Sequence, residues 1–353
     1  MKRFSELPGF IARELEHHRQ VVVVLLDAFG WSFVGRHERH PLLARMARDG
    51  TLAPMASQFP STTTAHVTTM HTGLPVEDHG LYEWRVWEPA VQDVIVPLLV
   101  GEDPPFDART LLPEGPSFYQ RLAARAGAAS TVWSPARFSP SGYDRVAVRG
   151  AQIVPYDDLA DGTRALASAV AGEQDKAYTY LYWDGIDAAG HRYGPSSAEF
   201  DDACLRALDA VYTAFFGPQA PRVDDTLLIL TADHGQIDVA PDRVDYLEVE
   251  VTAPPAGSAR DLFLHVEPER VDGTIAAINA TLDGRGTAVR SATLFPTIGP
   301  RLAARLAPVC VLPAPGRMTW LPTHKDVERV FRGHHGGRTP EESTTFAGTL
   351  QLG

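Results

Sequence analysis

The sequence predicts an α/β fold, a mostly parallel central sheet with helices on both faces, and three observations carry that expectation. Residues 21–26, 177–183 and 226–231 are short apolar runs rich in β-branched or aromatic residues, as in strands buried on both faces. Stretches of helical length lie between them, so strands and helices alternate along the chain. An acid follows each run closely: Asp27, then Asp184 and Asp187, then Asp233. Strand ends of this kind gather ligands in open parallel sheets.

In chain order, residues 6–20 read as an amphipathic helix leading into the first strand. Residues 63–71 form a short helix behind the run Ser61-Thr62-Thr63-Thr64. A helix over 116–125, a strand over 130–133 and a helix over 157–170 precede the strand at 177–183. Ser196-x-x-Glu199 has the spacing of a capping box and predicts a long helix reaching Phe216. After Ile237 the pattern changes. A strand over 261–267, a helix over 271–282 and a strand over 307–312 predict a small α/β insertion at 239–319, leaving 1–238 plus 320–353 as the core.

The chain has 353 residues, 44% of them hydrophobic and 22% charged, an ordinary soluble composition. Its net charge of −12 opposes binding to a nucleic-acid polymer and leaves small phosphate esters open if metals supply local positive charge. Cys204 and Cys310 are the two cysteines, too few for a disulfide framework or a thiolate metal cage. The apolar run at 21–26 is too short to span a bilayer. Lys2 and Arg3 lead into a polar amphipathic stretch rather than a signal-peptide core, so a cytoplasmic setting without membrane association is expected. Oligomeric state is not legible.

The chemistry-bearing residues recur in clusters. Three strand-end carboxylates, Asp27, Asp187 and Asp233, would repel one another unless cations neutralise them. Asp187-x-x-x-His191 brings two ligands to one ion within a turn of helix, Asp233-His234 supplies another pair, and Gly333-His334-His335-Gly336-Gly337 adds imidazoles on a flexible loop. Nitrogen and oxygen donors suit zinc or another divalent transition metal such as manganese. Thr63, in the Thr-rich turn, is a candidate hydroxyl nucleophile. Each feature has an ordinary structural explanation by itself: an acid after a strand is often a cap, a lone His is often packed, and Thr-rich turns are often caps. Their conjunction in one α/β chain is what points to a hydroxyl nucleophile beside a metal site.

These residues resemble the alkaline phosphatase superfamily, in particular its type I phosphodiesterase and nucleotide pyrophosphatase branch. The resemblance rests on Leu26-Asp27, Pro60-Ser-Thr-Thr63 through Thr72-Gly73-Leu74-Pro75 and His79-Gly80, Asp187 to Pro195, Thr231-Ala-Asp-His-Gly235 and His335-Gly-Gly337. These segments run in the family's order. The resemblance implies an alkaline phosphatase-like fold and, counting back from Thr72-Gly73, a nucleophile at Thr63. It implies one ion on Asp187, His191 and His335, and a second on Asp27, Thr63, Asp233 and His234, with His334 as the substitute for His335. It implies hydrolysis of phosphodiester or nucleotide pyrophosphate bonds through a phosphothreonine. The family's Asn after His-Gly is replaced here by Glu83-Trp84. Phe29, Trp31, Tyr82, Trp84 and Tyr193 are candidates to line a leaving-group pocket. A phosphomonoesterase or phosphonate hydrolase on the same scaffold is the near alternative, and a non-catalytic metal- and nucleotide-binding protein the distant one. No Cys-x-Pro-x-Arg segment stands at the nucleophile position, which argues against a sulfatase.

Overall fold

The computed structural model describes residues 1–325 and 328–353. Its centre is a seven-stranded sheet. Across the sheet the strands run Thr51–Ala56, Thr344–Leu352, Thr226–Thr231, Gln20–Leu26, Ala177–Trp183, Ala129–Pro135 and Gln152–Tyr156. The last five are parallel to one another, while Thr344–Leu352 lies antiparallel between Thr226–Thr231 and Thr51–Ala56.

Gln20–Leu26 is buried at every position, as its uniformly apolar sequence requires. Successive side chains take opposite faces. Val21, Val23 and Leu25 join the core with Leu7–His17, Thr63–Thr72 and Phe118–Ala126. Val22, Val24 and Leu26 join the core with Leu159–Gly172 and Ala198–Phe216. The three central strands are level: Val24 pairs with Leu181 on one side and Leu230 on the other. Their carboxyl ends therefore finish at one edge.

Most predicted elements are present with shifted ends. The first helix is Leu7–His17, and Gln20 already belongs to the strand. Ser117 closes a true capping box on Phe118–Ala126. The predicted box at Ser196 is displaced by one residue: Ser197 caps the helix by accepting the Phe200 amide, while the Ser196 hydroxyl donates to Asp238. The strands Thr51–Ala56, Gln152–Tyr156 and Thr344–Leu352 had no apolar signal, because the first two are sheet edges with exposed positions and the third carries polar residues.

A second sheet, antiparallel throughout, contains Ala256–Ser258, Asp261–Leu264, Val309–Pro313 and Gly286–Arg290. Val271, Ile278 and Leu282 of helix Val271–Leu282 share a separate core with Leu262, Leu264 and Val311. Among the described residues no helix is long and apolar enough to cross a membrane.

Candidate active site

The carboxyl edge of the sheet brings the acids together. Asp27 directly follows Gln20–Leu26 and its amide donates to the Trp183 carbonyl at 2.9 Å. Ala28 then turns with φ 64°, and its amide donates to Asp233 Oδ1 at 3.0 Å. Asp233 Oδ1 also accepts from the His234 amide at 2.9 Å, whereas Asp233 Oδ2 is buried without a hydrogen-bond partner. Tyr182, the penultimate residue of its strand, donates its hydroxyl to Asp27 Oδ2 at 2.5 Å.

Helix Thr63–Thr72 starts at this edge and ends on Gly73, whose φ of 64° forms a left-handed cap. Of the three adjacent threonines, Thr63 faces the acids. Its Oγ1 lies 3.2 and 3.4 Å from the two Asp27 oxygens and 3.3 Å from His234 Nε2. The Thr62 and Thr64 hydroxyls are buried elsewhere without partners. His66, one turn into the helix, donates from Nδ1 to the Thr62 carbonyl at 2.7 Å and accepts the Gln58 amide on Nε2 at 2.8 Å, which fixes the chain just before Thr63.

Asp187 sits in the first turn of helix Gly185–Tyr193, with His191 one turn later. Asp187 Oδ2 is 3.3 Å from His191 Nε2, and Oδ1 is 3.6 Å from His335 Nε2. His335 stacks on His234 with ring centroids 3.8 Å apart. The three imidazoles share one device. His191 Nδ1 donates to the Gly333 carbonyl at 2.8 Å, His234 Nδ1 to the Gly235 carbonyl at 3.1 Å and His335 Nδ1 to the Ser61 carbonyl at 3.0 Å. Each bond leaves Nε2 as the free nitrogen directed at the carboxylates.

Two groups have one donor atom per residue, all within 4.8 Å of one another: Asp27, Asp233 and His234, and Asp187, His234 and His335. His234 thus stands between the groups, and His191 flanks Asp187 from outside the second. His334 is in neither group; it is buried in the short strand Gly333–His334, and its Nε2 has no partner. Gln236, which sequence reasoning missed, donates to Asp187 Oδ1 at 2.5 Å. Tyr182 was missed as well. Its neighbouring strand-end position was the available signal in the sequence.

Electrostatics explains what the cluster needs. Burial, reinforced by repulsion from Asp233 and Asp187, pushes the Asp27 carboxyl well above its usual range. Burial raises Asp233 to about 7. His234 and His335 are held neutral, chiefly by burial. Asp187 goes the other way: burial opposes its charge, yet the neighbouring His191, whose own pKa is raised, and the Gln236 amide draw it below the ordinary value. Close carboxylates, an orphaned Asp233 oxygen and three imidazoles with free Nε2 atoms fit divalent cations of the zinc or manganese class.

A cavity of about 200 Å³ opens onto the cluster, and its walls include Thr63, Trp84, Asp187, Ser258, Phe331 and His335. Trp84 also lines a narrower apolar cavity with Leu98, Phe138, Tyr180 and Tyr182. Other candidate pocket residues lie elsewhere. Phe29 is fully buried in the core against Phe346, and Trp31 packs on that same core. Tyr82 is fully buried against Phe263, with its hydroxyl 3.4 Å from the Arg305 carbonyl. Tyr193 is 44% exposed beside Arg192. Sequence distance from a strand end did not tell which way these rings turn.

The fold has counterparts among solved structures. Murine ectonucleotide pyrophosphatase/phosphodiesterase 5 matches at 18% identity and a TM-score of 0.71, over 94% of this chain and 88% of that one. An inactive Thr-to-Ala variant of the murine protein in complex with AMP matches at 17% identity and 0.72, over 94% and 87%. The human protein matches at 17% identity and 0.71, also over 94% and 87%. The sequence profile described as type I phosphodiesterase / nucleotide pyrophosphatase matches residues 21–337. That span takes in every strand-end acid and all three imidazoles of the cluster, so the chain belongs to the type I phosphodiesterase / nucleotide pyrophosphatase family.

Proposed function

We propose that this chain is a two-metal hydrolase of small phosphodiesters or nucleotide pyrophosphates that acts through a phosphothreonine at Thr63. Family membership supports phosphodiesterase or nucleotide pyrophosphatase activity at the coarse level. The observation that carries the finer reading is the Thr63 hydroxyl, 3.2 to 3.4 Å from Asp27 and His234 at the start of a helix. Asp187, His191 and His335 would hold one ion, and Asp27, Thr63, Asp233 and His234 the other. Bound zinc, or manganese in its place, would lower the pKa of the hydroxyl and of water and carry charge on the phosphoryl oxygens.

The protein's own groups account for the rest. Thr63 Oγ1 attacks phosphorus in line, forming the Oγ–P bond as the bond to the leaving oxygen breaks. The first-turn amides of Thr63–Thr72 have no intrahelical partners and suit a phosphoryl oxygen. The Tyr182 hydroxyl and the Ala28 and His234 amides hold Asp27 and Asp233 in place throughout. Water then cleaves the Oγ–P bond, returning the Thr63 hydroxyl and releasing a monoester. Trp84, shared by both cavities, offers a face to a nucleobase or aryl leaving group. The murine relative's complex with AMP supports a nucleotide product of this size.

The cavity also bears on diester against monoester. Its lining includes Glu83 and Glu328, and the one lining Lys or Arg among the described residues, Arg85, is paired to Glu328. A dianionic monoester finds no spare cation there; a singly charged diester asks for less. With zinc present, kcat/KM for an aryl nucleotide diester is expected to exceed that for the matching aryl monoester by about 100-fold, roughly 3 kcal/mol in transition-state stabilisation. A preference for the monoester would move the assignment to a phosphomonoesterase. We place the chemistry in 1–238 plus 320–353 and treat 239–319 as an added wall.

A further inference from the structure

The second sheet reaches into the metal-ligand loop through one tight turn. Ser258-Ala259-Arg260-Asp261 joins strands Ala256–Ser258 and Asp261–Leu264. Arg260 on that turn is 1% exposed, the largest fully buried side chain in the described structure. Its guanidinium grips Glu342 with both arms, Nε to Oε1 at 3.0 Å and Nη2 to Oε2 at 2.9 Å, while Nη1 donates to the Ala314 carbonyl at 3.0 Å.

Glu342 is equally buried and gathers the loop that carries His335. Its Oε1 accepts the Gly337 amide at 3.0 Å, and its Oε2 accepts the Thr339 hydroxyl at 2.8 Å. Its backbone carbonyl accepts the Gly235 amide at 3.0 Å, next to His234. On the other side of the loop, the Ser61 hydroxyl donates to the Gly337 carbonyl at 2.9 Å, and the Ser61 carbonyl takes His335 Nδ1–H at 3.0 Å. The packing leaves no slack. A Cβ on Gly337 would stand 2.7 Å from Glu342 Oε2 and 2.9 Å from Arg260 Nη2. One on Gly336, whose φ is 109°, would stand 2.7 Å from Asp261 Oδ1.

We infer that Arg260 is a positioning residue: through Glu342 it sets the place of His335, so the second sheet tunes the affinity of the ion that His335 binds. This rests on the ligand assignment given under the proposed function. A planar fork on a carboxylate fixes angle as well as distance, which a lysine ammonium does not. Residues that orient a ligand from behind typically change metal affinity by about 10- to 100-fold when replaced.

The test is zinc titration of the metal-stripped full-length chain against a competing chelator, with folding checked by circular dichroism. His335→Ala is the reference and is expected to lose one of two ions. Arg260→Lys is expected to weaken that same ion by about 10- to 100-fold and the other, which Glu342 reaches only through the Gly235 amide, clearly less. Should Arg260→Lys fail to fold, Arg260→Met combined with Glu342→Gln removes both buried charges together and is expected to give the same selective loss. If His335→Ala loses an ion while the folded Arg260 variant binds both ions as the parent does, or weakens both equally, the positioning role is wrong. If His335→Ala keeps both ions, the ligand assignment itself fails.

Discussion

Thr63→Ala will lower turnover of every phosphate ester tested by at least ~10³-fold while the protein stays folded, because the variant lacks the atom that forms the covalent bond. The substitution removes one hydroxyl and one methyl from a helix whose other nine residues remain buried in place. The Asp27, Asp233 and His234 arrangement does not depend on that hydroxyl: Tyr182, Ala28 and the His234 amide hold it independently. Metal stoichiometry measured beside the rate should therefore stay at two while turnover collapses. Rapid mixing with a chromogenic diester should show no burst and no phosphorylated protein. Thr63→Ala turning over at the parent rate would remove covalent catalysis at this residue and leave a binding protein or a direct attack by water.

Metal removal will stop turnover and also change how stability responds to pH. In the metal-free protein Asp27 and Asp233 hold protons that the unfolded chain would have released, because burial raises both carboxyls, Asp233 to about 7, and repulsion from Asp233 and Asp187 adds to the rise at Asp27. A group raised on folding contributes most below its unfolded pKa, near pH 4, and that contribution is lost as pH rises through the folded value. The metal-free protein should thus weaken between about pH 4 and pH 7, by on the order of 4 kcal/mol for a shift like that of Asp233. Bound dications would reverse the preference by stabilising the ionised acids. The buried neutral imidazoles His66, His71 and His79, depressed to about 4, 3 and 3 by burial, favour the opposite trend, but they act alike with and without metal. The informative quantity is the difference in Tm between loaded and stripped protein. It should widen from pH 5 to pH 8, by roughly 5–10 °C. A constant difference would mean that the acids are neutralised some other way.

Much of this was legible in the sequence, for identifiable reasons. Strands buried on both faces announce themselves, so Gln20–Leu26, Ala177–Trp183 and Thr226–Thr231 were found within a residue. The acids beyond them were legible because a strand end fixes a place in the fold. The antiparallel strand Thr344–Leu352 was not, since its sequence ThrThrPheAlaGlyThrLeuGlnLeu lacks a continuous apolar run and its pairing partners are distant in the chain. Aromatic lining was the weakest reading. A Phe two residues beyond Asp27 has the right address and the wrong direction, and only the packing against Phe346 decides it. Arg260 carried no signal at all, because its partner Glu342 lies 82 residues later.

The level pairing of Val24 with Leu181 and Leu230 makes the sheet a gauge block for the reaction centre. Residues that never touch a phosphate set the spacing among carboxylates from three separated stretches of chain. Side-chain exchanges within those strands that preserve volume leave the gauge intact. A single inserted or deleted residue does not, because it reverses which face each following side chain takes and moves one acid about 3.3 Å relative to the others. Length, more than composition, is what these strands have to keep for the acids to converge at their ends.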